Sequence, residues 1–160
     1  MEKIIILDRD SSTLNDISRL VTALKFEPII AYNLASVNSI PREEIAAIFV
    51  DVETKMVKVG DVINLFNGPN KLNGTNLIPV FLMFSNPGTY YIEHAKQLPH
   101  AEIIQKPFTL EEVFQILHSY INLNDISYEQ FSNKYKLDQF KKYTAKMELW
   151  VEKFGSLLES

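Results

Sequence analysis

Three short apolar runs, each cut off by a polar residue with chemistry of its own, set the strongest constraint on how this chain folds. Lys3-Ile4-Ile5-Ile6-Leu7 stops at Asp8, Ile45 to Val50 stops at Asp51 and Ile78 to Phe84 stops at Ser85, while a short strand over 102–105, mixed in polarity, is followed by Lys106. Runs of this length without polar alternation read as strands buried on both faces, which belong to parallel sheets covered by helices. The segments between them supply helices. Leu14, Ile17, Leu20, Val21 and Leu24 recur on one face behind a cap at Asp10 or Ser11, Val62, Ile63 and Phe66 mark a helix over 59–66, another is expected over 89–97, and Thr109 with Glu112 spells a capping box that opens the next. Pro28 to Ala31 adds a strand, Leu34 to Ser39 a short, weakly marked helix, and Asn67 to Gly74 a long surface loop.

The sum to about Ile121 is five β-α units, hence an α/β fold: a doubly wound, five-stranded parallel sheet of flavodoxin-like order 2-1-3-4-5, with a C-terminal helix added. The expected organisation is a domain over 1–121, a linker over 122–127 and an amphipathic helical extension over 128–160. In that extension Phe140, Tyr143, Met147, Trp150, Phe154 and Leu157 alternate at spacings of three and four, a heptad stripe suited to dimerisation or docking. Six basic and six acidic residues balance after Ile121, so the net charge of −4 belongs to the first 121 residues. That sign argues against nucleic-acid binding, and the charge-balanced polar face of the last helix argues against a membrane surface. With no cysteine, a thiolate metal site, a disulfide framework and a Cys nucleophile are excluded. Met1-Glu2-Lys3 leads straight into a strand, no apolar stretch reaches the roughly 18 residues of a membrane span, and a cytoplasmic protein is expected.

In sheets of this kind sites lie outside the carboxyl ends of the strands. With order 2-1-3-4-5 the first and third strands are neighbours, and Asp8, Asp10, Asp51, Ser85 and Lys106 converge. Two or three carboxylates and a carbonyl suit Mg²⁺, a further carboxylate can attack phosphorus, and a hydroxyl with an ammonium can bind the oxygens of a transferred phosphoryl group. In this arrangement the stretch to Ile121 resembles the receiver domains of bacterial two-component response regulators. Asp51 matches the family's phospho-accepting aspartate, Ser85 its switch hydroxyl, and Lys106-Pro107-Phe108 its Lys-Pro-aromatic motif, in which the Lys-Pro bond is usually cis. The resemblance implies no enzyme but a phosphorelay signalling module. Its phosphoryl donor would be a histidine kinase or phosphotransfer protein, and its output a protein contact with a downstream partner or a second copy. Its metal would be Mg²⁺, near Asp8, Asp10, Asp51 and Glu53.

Departures from the family pattern give a second reading, a phosphorylation-independent pseudo-receiver acting as an interaction or dimerisation module. Family members carry two adjacent acids after the first strand, whereas Arg9 stands here in the place of the direct metal ligand; it either pairs with Asp51 or swings out and leaves Asp10 to help hold Mg²⁺. The segment after Asp51 lacks the usual Met-Pro, and Glu53 occupies a position where family side chains influence phosphoryl lifetime. Ile103 takes the aromatic switch position, for which Phe84, Tyr90 and Phe108 are candidate substitutes. His94, His100 and His118 have no metal-ligand spacing and read as ordinary surface or half-buried residues. A flavin or nucleotide site would need a glycine-rich turn after the first strand, and there is none.

Overall fold

The structure is a computed structural model and describes residues 1–53, 58–67, 77–86, 98, 100–123 and 125–159. It separates into two compact units, Met1–Leu123 and Asn124–Ser160.

The first unit is built on a five-stranded parallel sheet in the order β2-β1-β3-β4-β5, with β1 at Lys3–Leu7, β2 at Glu27–Ala31, β3 at Ile45–Asp51, β4 at Val80–Phe84 and β5 at Ala101–Gln105. The doubly wound α/β fold expected above is therefore the observed one. Side chains alternate across the sheet with the two-residue period of extended backbone. On one face Ile5, Leu7, Ile48, Val50, Val80 and Leu82 form a continuous core with Val62 and Ile63 of α2 (Val59–Asn67). On the other, Ile4, Ile6, Phe49, Phe81 and Met83 are fully buried, and the ring of Phe81 meets Tyr120 edge-on at 5.6 Å. Tyr120 ends α3 (Leu110–Tyr120), which lies beside α1 (Ser11–Ala23). Both helices turn the apolar stripe read from the sequence inward, burying Leu14, Ile17, Leu20 and Val21 from α1 and Val113, Phe114 and Leu117 from α3.

Helix ends follow local chemistry. The Asp10 side chain caps α1 by accepting from the Thr13 amide, and Thr109 and Glu112 form the expected reciprocal capping box on α3. One element differs from the sequence reading: over 34–39 there is no regular helix but a series of turns, closed by Val37 N to Leu34 O (3.2 Å), Asn38 N to Leu34 O (3.1 Å) and Ile40 N to Val37 O (3.1 Å). Asn33 accepts from the Ser36 amide there, a local bond that competes with a helix too short to repay its nucleation. A short 3₁₀ turn at Arg42–Glu44 then leads into β3. The strand expected from Ile78 begins at Val80, because Pro79 has no N–H to donate to a ladder. Just before it, the buried Asn67 at the end of α2 uses its side-chain amide as a substitute backbone: Nδ2 donates to Ile78 O and Oδ1 accepts from Ile78 N, both at 2.8 Å. The expected helix over 89–97 lies outside the described residues, as does most of the loop before Leu77.

The second unit contains α4 (Tyr128–Glu159), opened by a capping box in which the Gln130 amide donates to Ser127 Oγ and the Ser127 amide to Gln130 Oε1. No helix among the described residues is long and apolar enough to cross a membrane.

Candidate functional site

The register of the sheet brings the polar residues that end the strands onto one edge. Leu7 pairs with Val50, Asp51 with Met83 and Phe84 with Gln105, so Asp8, Asp51, Ser85 and Lys106 follow one another across four neighbouring strands. The Lys106 amide also donates to Phe84 O at 2.7 Å, which holds the start of the last loop against the end of β4. The Lys106–Pro107 bond is cis.

Lys106 Nζ sits between two carboxylates, 2.7 Å from Asp8 Oδ2 and 2.8 Å from Asp51 Oδ2. Asp8 is fully buried, Asp51 is 7% exposed, and the Lys106 side chain is 11% exposed. Ionised groups this deep are tolerated only with charge partners and hydrogen bonds. Asp8 Oδ1 accepts from the amides of Arg9 (2.7 Å) and Asp10 (2.9 Å), and Asp51 Oδ1 accepts from the Glu53 amide at 2.7 Å. Burial disfavours the charge on Lys106, but the hydrogen bonds it donates to Asp51 and Asp8, with their negative charges, outweigh it and raise the ammonium above the ordinary lysine range.

The other expected site residues surround this centre in different roles. Asp10 is turned toward α1: Oδ2 accepts from Thr13 Oγ1 at 2.6 Å and from the Thr13 amide at 3.1 Å, and these bonds, the hydroxyl first, hold its pKa below the ordinary carboxylate range. Arg9 is exposed, and Lys106 is a cation paired with Asp51. Glu53 Oε1 accepts from the amides of Ser85 (2.9 Å) and Asn86 (2.6 Å), so its carboxylate holds the turn after β4. That contact is not written in the spacing of the sequence, although a carboxylate two residues beyond one strand end, opposite a turn at the next, is the signal that points to it. Ser85, Lys106, Pro107 and Phe108 line, with Asp10 and Thr13, a cleft of about 390 Å³. Ile103 is half-buried on β5 and packs on the α2 face of the sheet, away from the carboxylates. Phe84 is buried at the end of β4. Tyr90 and His94 lie outside the described residues. His100 and His118 contact the rings of Tyr120 and Phe114.

On α4, Phe140 (65%), Trp150 (61%) and Phe154 (49%) are exposed, as are Tyr143 and Met147. Trp150 and Phe154 stack with ring centroids 5.2 Å apart. Leu157 of the same stripe is exposed, and Leu149, Val151 and Leu158 extend the apolar surface beyond it.

No family model matches the sequence, and no curated protein matches it. Solved structures do match. The chemotaxis protein CheY4 of Vibrio cholerae aligns at a TM-score of 0.61 and 15% identity over 76% of this chain and 99% of its own. A signal receiver domain of a response regulator from Bermanella marisrubri gives 0.61 and 18% over 75% and 98%. The receiver domain of a sensor histidine kinase from Pseudomonas aeruginosa PAO1, with a magnesium ion coordinated in its active-site cleft, gives 0.59 and 16% over 74% and 96%.

The first unit thus has the receiver fold, but its carboxyl edge does not fit Mg²⁺ as arranged. That ion requires octahedral oxygen donors with carboxylates free to face it. Here Asp8 and Asp51 share the Lys106 ammonium, Asp10 caps a helix, Glu53 binds backbone amides and Arg9 brings a cation. Among the described residues no group of three or more His, Cys, Asp or Glu side chains is placed to hold a metal.

Proposed function

We propose that this protein is a receiver-type signalling module of a cytoplasmic phosphorelay, accepting a phosphoryl group on Asp51 and passing the change on through protein contacts rather than through catalysis of its own. One observation carries the reading: a nearly buried carboxylate at the end of the central strand is held 2.8 Å from a lysine ammonium that also bonds a second buried carboxylate. A lysine shared in this way fixes the Asp51 side chain and offsets negative charge at the place where more would arrive.

In the proposed step an Asp51 carboxylate oxygen attacks the phosphorus of a phosphohistidine on a histidine kinase or phosphotransfer protein. The new O–P bond forms as the P–N bond breaks, and the bonding pair leaves with the imidazole nitrogen. The product is an acyl phosphate on Asp51. Lys106 stays beside the transferred oxygens, and the Ser85 hydroxyl lies on the adjoining strand end to bond them. Arg9, in place of an acid, disfavours a metal at this edge and makes uptake slow.

The test is intact-mass measurement after incubation with acetyl phosphate, with and without Mg²⁺, on the wild type and Asp51→Asn. The proposal expects a phosphate adduct on the wild type that is missing from the variant. A wild type that stays unlabelled where a competent receiver is labelled would overturn it.

A second reading, a phosphorylation-independent interaction module, draws on the ligation of Glu53 to the 85–86 amides and on Arg9. Under either reading the exposed stripe of α4 is proposed as a self-association surface.

A further inference from the structure

Two consecutive backbone N–H groups aimed at one carboxylate oxygen form a small anion-binding nest. In this protein the nest is the turn after β4, where Ser85 N and Asn86 N donate to Glu53 Oε1 at 2.9 and 2.6 Å. Its location gives it meaning. Asp51 pairs with Met83, Val52 N donates to Met83 O at 3.0 Å, and the Lys106 amide is held by Phe84 O, so the nest lies between the acceptor carboxylate and the lysine loop on the same edge of the sheet. Glu53 also touches the acceptor directly, because its own amide donates to Asp51 Oδ1 at 2.7 Å. A single residue therefore binds Asp51 with its backbone and the turn of the neighbouring strand with its side chain. The Glu53 side chain is exposed, so its carboxylate can leave the amides for water at small cost, and charge-assisted bonds to backbone N–H groups are strong enough to hold it there otherwise.

We propose that Glu53 is a built-in oxyanion competitor: its carboxylate occupies the Ser85–Asn86 amide nest, and an arriving tetrahedral oxyanion gains those two donors only by displacing it. The natural displacer, a phosphoryl group on Asp51, rests on the function proposed above; occupation of the nest by Glu53 does not. Glu53 thereby couples the state of Asp51 to the turn after β4, since the carboxylate and the oxyanion cannot both hold the same two amides.

The experiment follows the Ser85 and Asn86 amide resonances of the full chain during titration with inorganic sulfate, together with their hydrogen exchange, in the wild type, Glu53→Ala and Glu53→Gln. Glu53→Ala is expected to speed exchange of both amides on the order of tenfold and to let sulfate shift both resonances at clearly lower concentration, with an unchanged unfolding midpoint. Glu53→Gln, whose carbonyl can accept but carries no charge, is expected to keep much of the exchange protection while sulfate still binds more tightly than in the wild type. Exchange that is the same in all three proteins, or a Glu53→Ala protein whose two amides do not respond to sulfate, would overturn the proposal. Labelling of Asp51 by acetyl phosphate in the same three proteins is read separately. Its absence throughout, with the amide results as expected, would reject the phosphoacceptor function and leave the competitor standing; the reverse pattern would reject the competitor alone.

Discussion

Lys106 is where the charge of the site is balanced, so its removal has the clearest consequences at the residue scale. Lys106→Met takes the shared ammonium away from two buried carboxylates and is expected to destabilise the protein by about 3 kcal/mol at neutral pH, measured by urea unfolding. Because the Lys106 ammonium is held above the ordinary lysine range in the folded state, its contribution is complete below that range and is lost as pH rises through the raised value. Wild-type stability should therefore fall as pH climbs beyond about 10.4, and the variant should lack that limb. Arg9 makes the opposite case. Arg9→Asp restores an acid beside Asp8 and removes a cation, and should tighten Mg²⁺ binding on the order of tenfold, about 1.4 kcal/mol, as read by calorimetric titration; unchanged affinity would remove Arg9 from the account. Asp8, Asp51 and Ser85 were legible because each ends an apolar run, Lys106 because it follows the last strand and opens a Lys-Pro-Phe motif, and a parallel sheet aligns such ends. The roles of Asp10 and Glu53 were not: each carboxylate chooses between the shared edge and a nearby backbone amide, and that choice depends on tertiary placement.

At the scale of elements, long periodic segments were the ones that could be read. The strands and α1, α2 and α3 fall within a residue or two of their expected bounds, since their apolar residues have no other way to reach a common core. The 34–39 segment failed for the converse reason, being short and rich in Asn and Ser that bond locally. The tie from Asn67 to Ile78 was invisible as well, because an Asn beside Gly68 reads as turn material until the strand it meets is known. Sequence-legible caps should have measurable weight. Thr109→Ala removes the hydroxyl that accepts from the Glu112 amide at 3.2 Å and is expected to cost about 1 kcal/mol, seen as a lowered urea midpoint with an unchanged slope. A change in slope would mean that the capping box also shapes the denatured chain.

At the scale of the whole molecule, the receiver-fold unit carries the ionic site and the second unit carries the exposed apolar surface. Phe140, Tyr143, Met147, Trp150, Phe154 and Leu157 keep strict three-four spacing along α4, and such a seam is stable in water only when covered. With a second copy as the cover, the full chain should sediment as a dimer, and Trp150→Glu combined with Phe154→Glu should sediment as a monomer of unchanged secondary structure. Monomeric wild type would exclude self-association. An acyl phosphate on Asp51 can be trapped directly: borohydride reduces it to homoserine, which peptide mass analysis locates. After treatment with acetyl phosphate, homoserine is expected at position 51 in the wild type and none in Asp51→Asn, whereas homoserine elsewhere, or none at all, would show that Asp51 is not the phosphoryl acceptor.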